Sequence, residues 1–171
     1  NDYVNINNTL NPLLSGYTVS VWFKSPPALD ANVRFLLSKG NVTSGNIGYS
    51  FFVQNAELNC RINANNTTTQ RADNRFVIAA NTWYNVVMVI DRQNNILRSY
   101  LNGVLSTTTA FGTNITGFNS ITNTSNLLIG SSVTPANFYN NLINNFDIYD
   151  YALTPEQVNA NFQALRTKYG I

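Results

Sequence analysis

The chain's reactive groups are few: eight Asp and Glu, ten Lys and Arg, one cysteine and no histidine. Without an imidazole there is no Ser-His-Asp triad, no His-activated thiol and no His-based zinc site. Cys60 sits in the alternating run Glu57-Leu58-Asn59-Cys60-Arg61-Ile62-Asn63 and reads as a small buried hydrophobe. A catalytic thiol needs a basic partner to become a thiolate, and a lone cysteine closes no internal disulfide. Glycoside hydrolysis needs two carboxyl groups facing each other. The two glutamates are Glu57 and Glu156, and Glu57 has no acidic neighbour on its own strand. Asp147 and Asp150 are three apart and so face opposite sides of a strand. No Gly-rich phosphate loop is present. The inventory reads as that of a protein that binds, not an enzyme.

Recognition through neutral amides is the chemistry the sequence does offer. Thirty residues are Asn, while charged residues make up 11% of the chain. A surface of amides and hydroxyls hydrogen-bonds to sugars, to water and to copies of itself. The segment Asn137-Phe138-Tyr139-Asn140-Asn141 mixes planar amides with aromatic faces, as sugar sites do. Tyr139, Asn137 and Asn140 are therefore the first candidates for ligand contact; packing of Phe138 and Tyr139 beneath their own loop is the alternative. Arg71 and Asn74, flanking Asp73, are the second candidates. Net charge is +2 with no Lys/Arg run, which argues against nucleic acid as a partner. No apolar run approaches the roughly 18–20 residues of a membrane span. No signal peptide is visible, and a start without Met reads as a processed or excised domain. Asn7, Asn41, Asn65, Asn66, Asn114 and Asn123 stand in Asn-x-Ser/Thr sequons, which matter if a glycosylating pathway makes the protein.

The elements that must position these groups are mostly strands. Apolar alternation bounded by Gly, Asn, Pro and Ser predicts strands at 3–6, 18–24, 33–39, 49–54, 57–63, 76–79, 84–91, 96–102, 104–109, 126–130 and 143–149. No helical pattern separates them, which argues against a parallel α/β sheet, and a β-sandwich or barrel is expected. In 86–91 both alternating sets are largely apolar, so both faces of that strand should be buried. Gln93-Asn94-Asn95 and Asn102-Gly103 supply turns. The polar stretches 63–74, 106–116 and 131–141 read as loops or weakly patterned edges. One helix is expected over about 154–168. Thr154 caps it, Pro155 occupies its first position, Gln157 closes a capping box, and Val158, Phe162 and Leu165 form its apolar stripe. At 171 residues the whole chain reads as one domain.

Three pieces of sequence resemble the laminin-G-like, concanavalin-A-like jelly-roll family. They are Asn-Asp-Tyr-Val-Asn-Ile at 1–6 with Gly-Tyr-Thr-Val-Ser-Val-Trp-Phe-Lys at 16–24, the stretch 82–104, and 142–158 with its Phe-Asp-Ile-Tyr-Asp-Tyr-Ala-Leu-Thr-Pro-Glu core. The resemblance implies an all-β fold, a two-sheet antiparallel jelly roll with one C-terminal α-helix. It implies that Trp22, Phe23, Phe51, Phe52 and Trp83 belong to the core or lie between the sheets. Glucanases of this fold carry a Glu-x-Asp-x-x-Glu cluster that this sequence lacks. The family implies glycan or surface-glycoprotein partners, and an extracellular, cell-surface or virion-surface location. A structural Ca²⁺ is the one cofactor left open, with Asn145 and Asp2 as its ligands; an amide where relatives place a carboxylate weakens such a site. The function expected is a non-catalytic recognition or adhesion module. The alternative is a structural subunit of a virion, fibre or surface layer that self-associates through edge strands and loops.

Overall fold

A computed structural model describes residues 2–8, 11, 16–40, 47–63, 71–94, 96–110 and 122–171; for 71 and 106–110 it describes the backbone. Eleven strands form among them: β1 (Val4–Asn5), β2 (Tyr17–Lys24), β3 (Arg34–Lys39), β4 (Gly48–Gln54), β5 (Glu57–Asn63), β6 (Arg71–Val77), β7 (Trp83–Asp91), β8 (Ile96–Leu101), β9 (Val104–Ala110), β10 (Leu127–Ile129) and β11 (Ile143–Tyr149). They build two antiparallel sheets, a six-stranded one in the order β1-β10-β3-β4-β5-β6 and a five-stranded one in the order β11-β2-β7-β8-β9. This is the jelly roll the sequence implied.

Period-two alternation explains the core. On β4, Tyr49, Phe51 and Val53 point inward; on β5, Leu58, Cys60 and Ile62 do so. Val19, Val21 and Phe23 of β2 and Val86, Met88 and Ile90 of β7 answer from the other sheet. Fully burying side chains of this size stabilises the fold by about 1.5–3 kcal/mol each.

The outer face of the five-stranded sheet is also apolar, because a helix covers it. Helix α1 (Pro155–Leu165) starts at Thr154, whose hydroxyl accepts from Gln157 N while Gln157 Oε1 accepts from Thr154 N. A 3-10 turn over Arg166–Tyr169 follows and ends at Gly170, φ 72°. The α-helix therefore stops three residues earlier than the sequence pattern suggested. Val87, Val89 and Tyr100 pack with Leu153 and Val158 under its first half. Trp22 lies under its second half, stacked on Phe162 at 5.6 Å and on Tyr169 at 4.0 Å. Trp22 is thus buried between sheet and helix, not between the sheets. Phe23 and Phe51 do lie between the sheets, Phe52 turns outward against Phe35 and Arg61, and Trp83 is half-buried against Tyr169.

Two stretches read as loops or weakly patterned edges supply edge strands. β6 begins at Arg71, so Arg71 and Asn74 stand on a strand and not on a loop. β9 carries Ser106 through Ala110 as an edge strand. Residues 64–70 and 111–121, Asn95, and the sequons at Asn41, Asn65, Asn66 and Asn114 lie outside the described residues.

Candidate functional site

The sandwich is closed along one side and open along the other. β6 packs against β8 and β9, so the two sheets meet there. Among the described residues no comparable approach joins β1 to β11, the opposite edge strands. Between these strands runs a groove of about 730 Å³, lined by 2–4, 129–130 and 139–146.

The groove is built by short-range chemistry. Gly130, at φ 84°, lets the first strand pass close by: a Cβ there would sit 3.3 Å from the Asp2 carbonyl oxygen. Tyr139 anchors the loop before β11. Its N–H donates to the Gly130 carbonyl at 2.9 Å and its hydroxyl donates to the Lys24 carbonyl at 2.6 Å. The ring meets Phe23 edge-on at 6.3 Å, and burial pushes the phenol pKa up. Asn141 then ties the loop to β2, its Nδ2 donating to the Ser25 carbonyl at 2.8 Å. Asn145 occupies a β-bulge between Asn144 and Phe146 with φ 46°, a conformation Asn tolerates. Its Nδ2 donates to Asp147 Oδ2 at 2.8 Å, and burial raises the Asp147 carboxyl.

Four sequence-designated residues thus meet in one groove: Asp2, Tyr139, Asn140 and Asn145. Tyr139 is 8% exposed, its ring packed in the core and its hydroxyl spent on Lys24, so the packing alternative describes it. Asn140 is exposed at the rim. Asn137 is exposed at φ 50° outside the groove, and its carbonyl accepts from Phe35 N at 3.0 Å. Arg71 and Asn74 lie elsewhere. The Asn74 side chain points between the sheets, 2% exposed, and donates to Ser99 Oγ at 2.9 Å. The Arg71 side chain is outside the described part of the molecule. Asn123, in a described sequon, spends its amide on the Ile47 carbonyl and on Ser125 N.

Sequence reasoning missed Tyr3, Leu142 and Asn144 as lining residues. Tyr3 is 44% and Leu142 57% exposed. The signal was available in the apolar pair Tyr3-Val4, which a buried edge strand would have hidden.

Calcium fits this groove poorly. It takes about six to eight oxygens and draws its affinity from carboxylates. Among the described residues Asp2 is the one carboxylate lining the groove, and Asn145 supplies a neutral amide oxygen. Among the described residues no three His, Cys, Asp or Glu gather anywhere.

Most other carboxylates serve structure. Asp30 pairs with Arg34, Asp73 with Arg61, Glu57 with Arg75 and Asp91 with Arg98. The Arg34 hydrogen bond holds the Asp30 carboxyl well below its ordinary range. A carboxyl held as Asp30 is makes a poor proton donor, and a glycosidase acid must donate a proton.

Two stacked antiparallel sheets, one of them covered by a helix, with one side left open, define the jelly-roll class of fold. The chain belongs to the concanavalin A-like lectin/glucanases superfamily, whose model matches residues 1–159. No curated protein matches the sequence. Among solved structures, a botulinum neurotoxin serotype D binding domain is similar, with TM-score 0.71 and 17% identity over 95% of this chain and 39% of that one. The serotype D ligand binding domain in complex with N-acetylneuraminic acid gives the same values. The botulinum neurotoxin DC binding domain in complex with rat synaptotagmin II is 18% identical, with TM-score 0.69 over 95% of this chain and 40% of that one. The chain spans about two fifths of those structures, and at such identity the likeness is one of fold.

Proposed function

We propose that the protein is a non-catalytic recognition module that binds a glycan or a surface glycoprotein through the open side of its sandwich, at an extracellular, cell or virion surface. The observation that carries this reading is the groove between β1 and β11, where Asn140, Asn141, Asn144 and Asn145 stand beside the exposed apolar Tyr3 and Leu142. Amides give the hydrogen bonds and apolar faces the contact area that a sugar site combines. The superfamily, and toxin binding domains solved in complex with N-acetylneuraminic acid and with rat synaptotagmin II, support the same class of partner.

Self-association is the second reading. Its support is the set of apolar side chains exposed on two edge strands: Val77 on β6 at 82%, and Val104 and Leu105 on β9 at 68% and 43%.

A glycan array tests the first reading, run with calcium and with chelator. We expect a saturable hit that Asn140→Ala weakens roughly tenfold and Leu142→Asp abolishes, the same in both conditions. Tyr139→Ala is unsuitable, since it would hollow the core. A blank array, together with sedimentation showing concentration-dependent oligomers that Val104→Asp disrupts, would sink the groove reading and favour self-assembly.

A further inference from the structure

The groove between β1 and β11 is biased in its hydrogen-bonding character, because its donors are spent on its own walls. Tyr139 gives its N–H to the Gly130 carbonyl and its hydroxyl proton to the Lys24 carbonyl. The Asn141 Nδ2 donates to the Ser25 carbonyl, and Leu142 N donates to Asn141 Oδ1 at 2.9 Å. The Asn145 Nδ2 donates to Asp147.

Acceptors are left facing the opening. Asn145 turns its nitrogen to Asp147, which leaves its amide oxygen available. Asn140 and Asn144 stand exposed on the rim, where each can turn an amide oxygen to a ligand. Asp2 is exposed and joins no ion pair among the described residues, whereas Asp30, Glu57, Asp73 and Asp91 each hold an arginine.

Charge selects the class of partner. Among the described lining residues Asp2 is the one charged group, and none is Lys or Arg. A carboxylate, sulfate or phosphate would meet Asp2 with no cation to offset it. One carboxylate among neutral oxygens is too little charge for calcium, but it matches a monovalent cation.

The apolar side chains narrow the class further. Tyr3 follows Asp2 directly, is 44% exposed and rests against Phe138 with ring centroids 6.2 Å apart. Leu142 is 57% exposed on the same groove. A cation is attracted to the face of a tyrosine ring. A guanidinium is all donor, planar and weakly hydrated, stacks on aromatic faces, and is carried on an apolar stem. From this geometry we infer that an arginine side chain of a partner protein enters the groove, its guanidinium between Asp2 and the Tyr3 ring and its stem against Leu142. The inference rests on the recognition-module reading and adds a polypeptide contact at the same groove.

Amide-resolved NMR titration with the capped peptide acetyl-Leu-Arg-Leu-amide tests it. Versions with lysine, citrulline or glutamate in place of arginine, and N-acetylneuraminic acid, serve as controls. The arginine peptide is expected to give saturable shifts at Tyr3, Val4 and 140–146, and to bind roughly tenfold more tightly than the citrulline version, which has the same shape without the charge. Lysine should fall between them. Asp2→Asn, an exposed site, should weaken the arginine peptide to the level of citrulline without changing the melting temperature. Tyr3→Leu, which keeps an apolar contact and loses the aromatic face, should weaken it roughly two- to fivefold. Equal binding of the arginine and citrulline peptides, no shifts from any peptide, or stronger groove shifts from glutamate or N-acetylneuraminic acid would each overturn the inference. A glycan-array hit that Asn140→Ala weakens, without arginine shifts, would overturn it and leave the groove reading standing. A blank array with the arginine shifts intact would sink the glycan arm of that reading and leave the inference standing.

Discussion

Lys39 is the residue whose chemistry is most at odds with its surroundings. It is 0% exposed, and its ammonium donates to Asn8 Oδ1 at 3.2 Å and to the Ser125 carbonyl at 2.8 Å. Neither acceptor is charged, so burial lowers its pKa. A lysine whose folded pKa lies below the unfolded value of about 10.4 favours folding more as pH rises. That contribution is complete above the unfolded pKa and is lost as pH falls through the folded one. Urea titrations at several pH values, with Lys39→Met as reference, should therefore show wild type gaining on the variant from neutral toward pH about 10. A difference that stays flat across that range would mean the ammonium is fully solvated. Tyr139 illustrates the opposite case, a polar group whose burial is satisfied: Tyr139→Phe loses one hydrogen bond to Lys24, about 1 kcal/mol.

At the scale of elements, the helix and the β8–β9 turn form one joint. Asn102 and Gly103 both have positive φ, 51° and 75°, as a tight hairpin turn requires. A Cβ on Gly103 would lie 2.8 Å from the Phe162 ring. Gly103→Ala thus meets both a backbone and a packing penalty and should cost more than about 1–2 kcal/mol. Thr154→Ala, at the other end of the helix, loses its cap and should cost about 1 kcal/mol. Thermal melts rank the two; equal effects would mean the helix is docked less firmly than its aromatic stack implies. The sequence made much of this level legible. Val87 and Val89 alternating with Val86, Met88 and Ile90 announced a strand covered on both faces, and Thr154-Pro155 announced the cover. β6 escaped because its one polar inward residue, Asn74, interrupts the alternation that would have revealed Ala72 and Phe76. The groove was legible residue by residue but not as a place. Asp2 and Asn145 meet through strand order, which periodicity does not encode.

At the scale of the whole molecule, one buried thiol reports on global integrity. Cys60 is 0% exposed in the middle of β5, facing the core between the sheets, and burial pushes its pKa up. Alkylation by a neutral maleimide should track global unfolding, accelerating in denaturant in step with the loss of fluorescence from the buried Trp22. Rapid labelling in native buffer would show instead that the sheets part locally around β5. The topology also bears on how the chain reaches its fold. Val21 of β2 pairs with Val86 on one side and with Phe146 on the other. β2, second in the five-stranded sheet, therefore waits for partners far along the chain, and its apolar run Tyr17–Lys24 stays without them through much of synthesis. Long-range pairing of this kind makes folding slow, on the order of milliseconds to seconds, and leaves that run the segment a ribosome-bound chaperone would most need to shield.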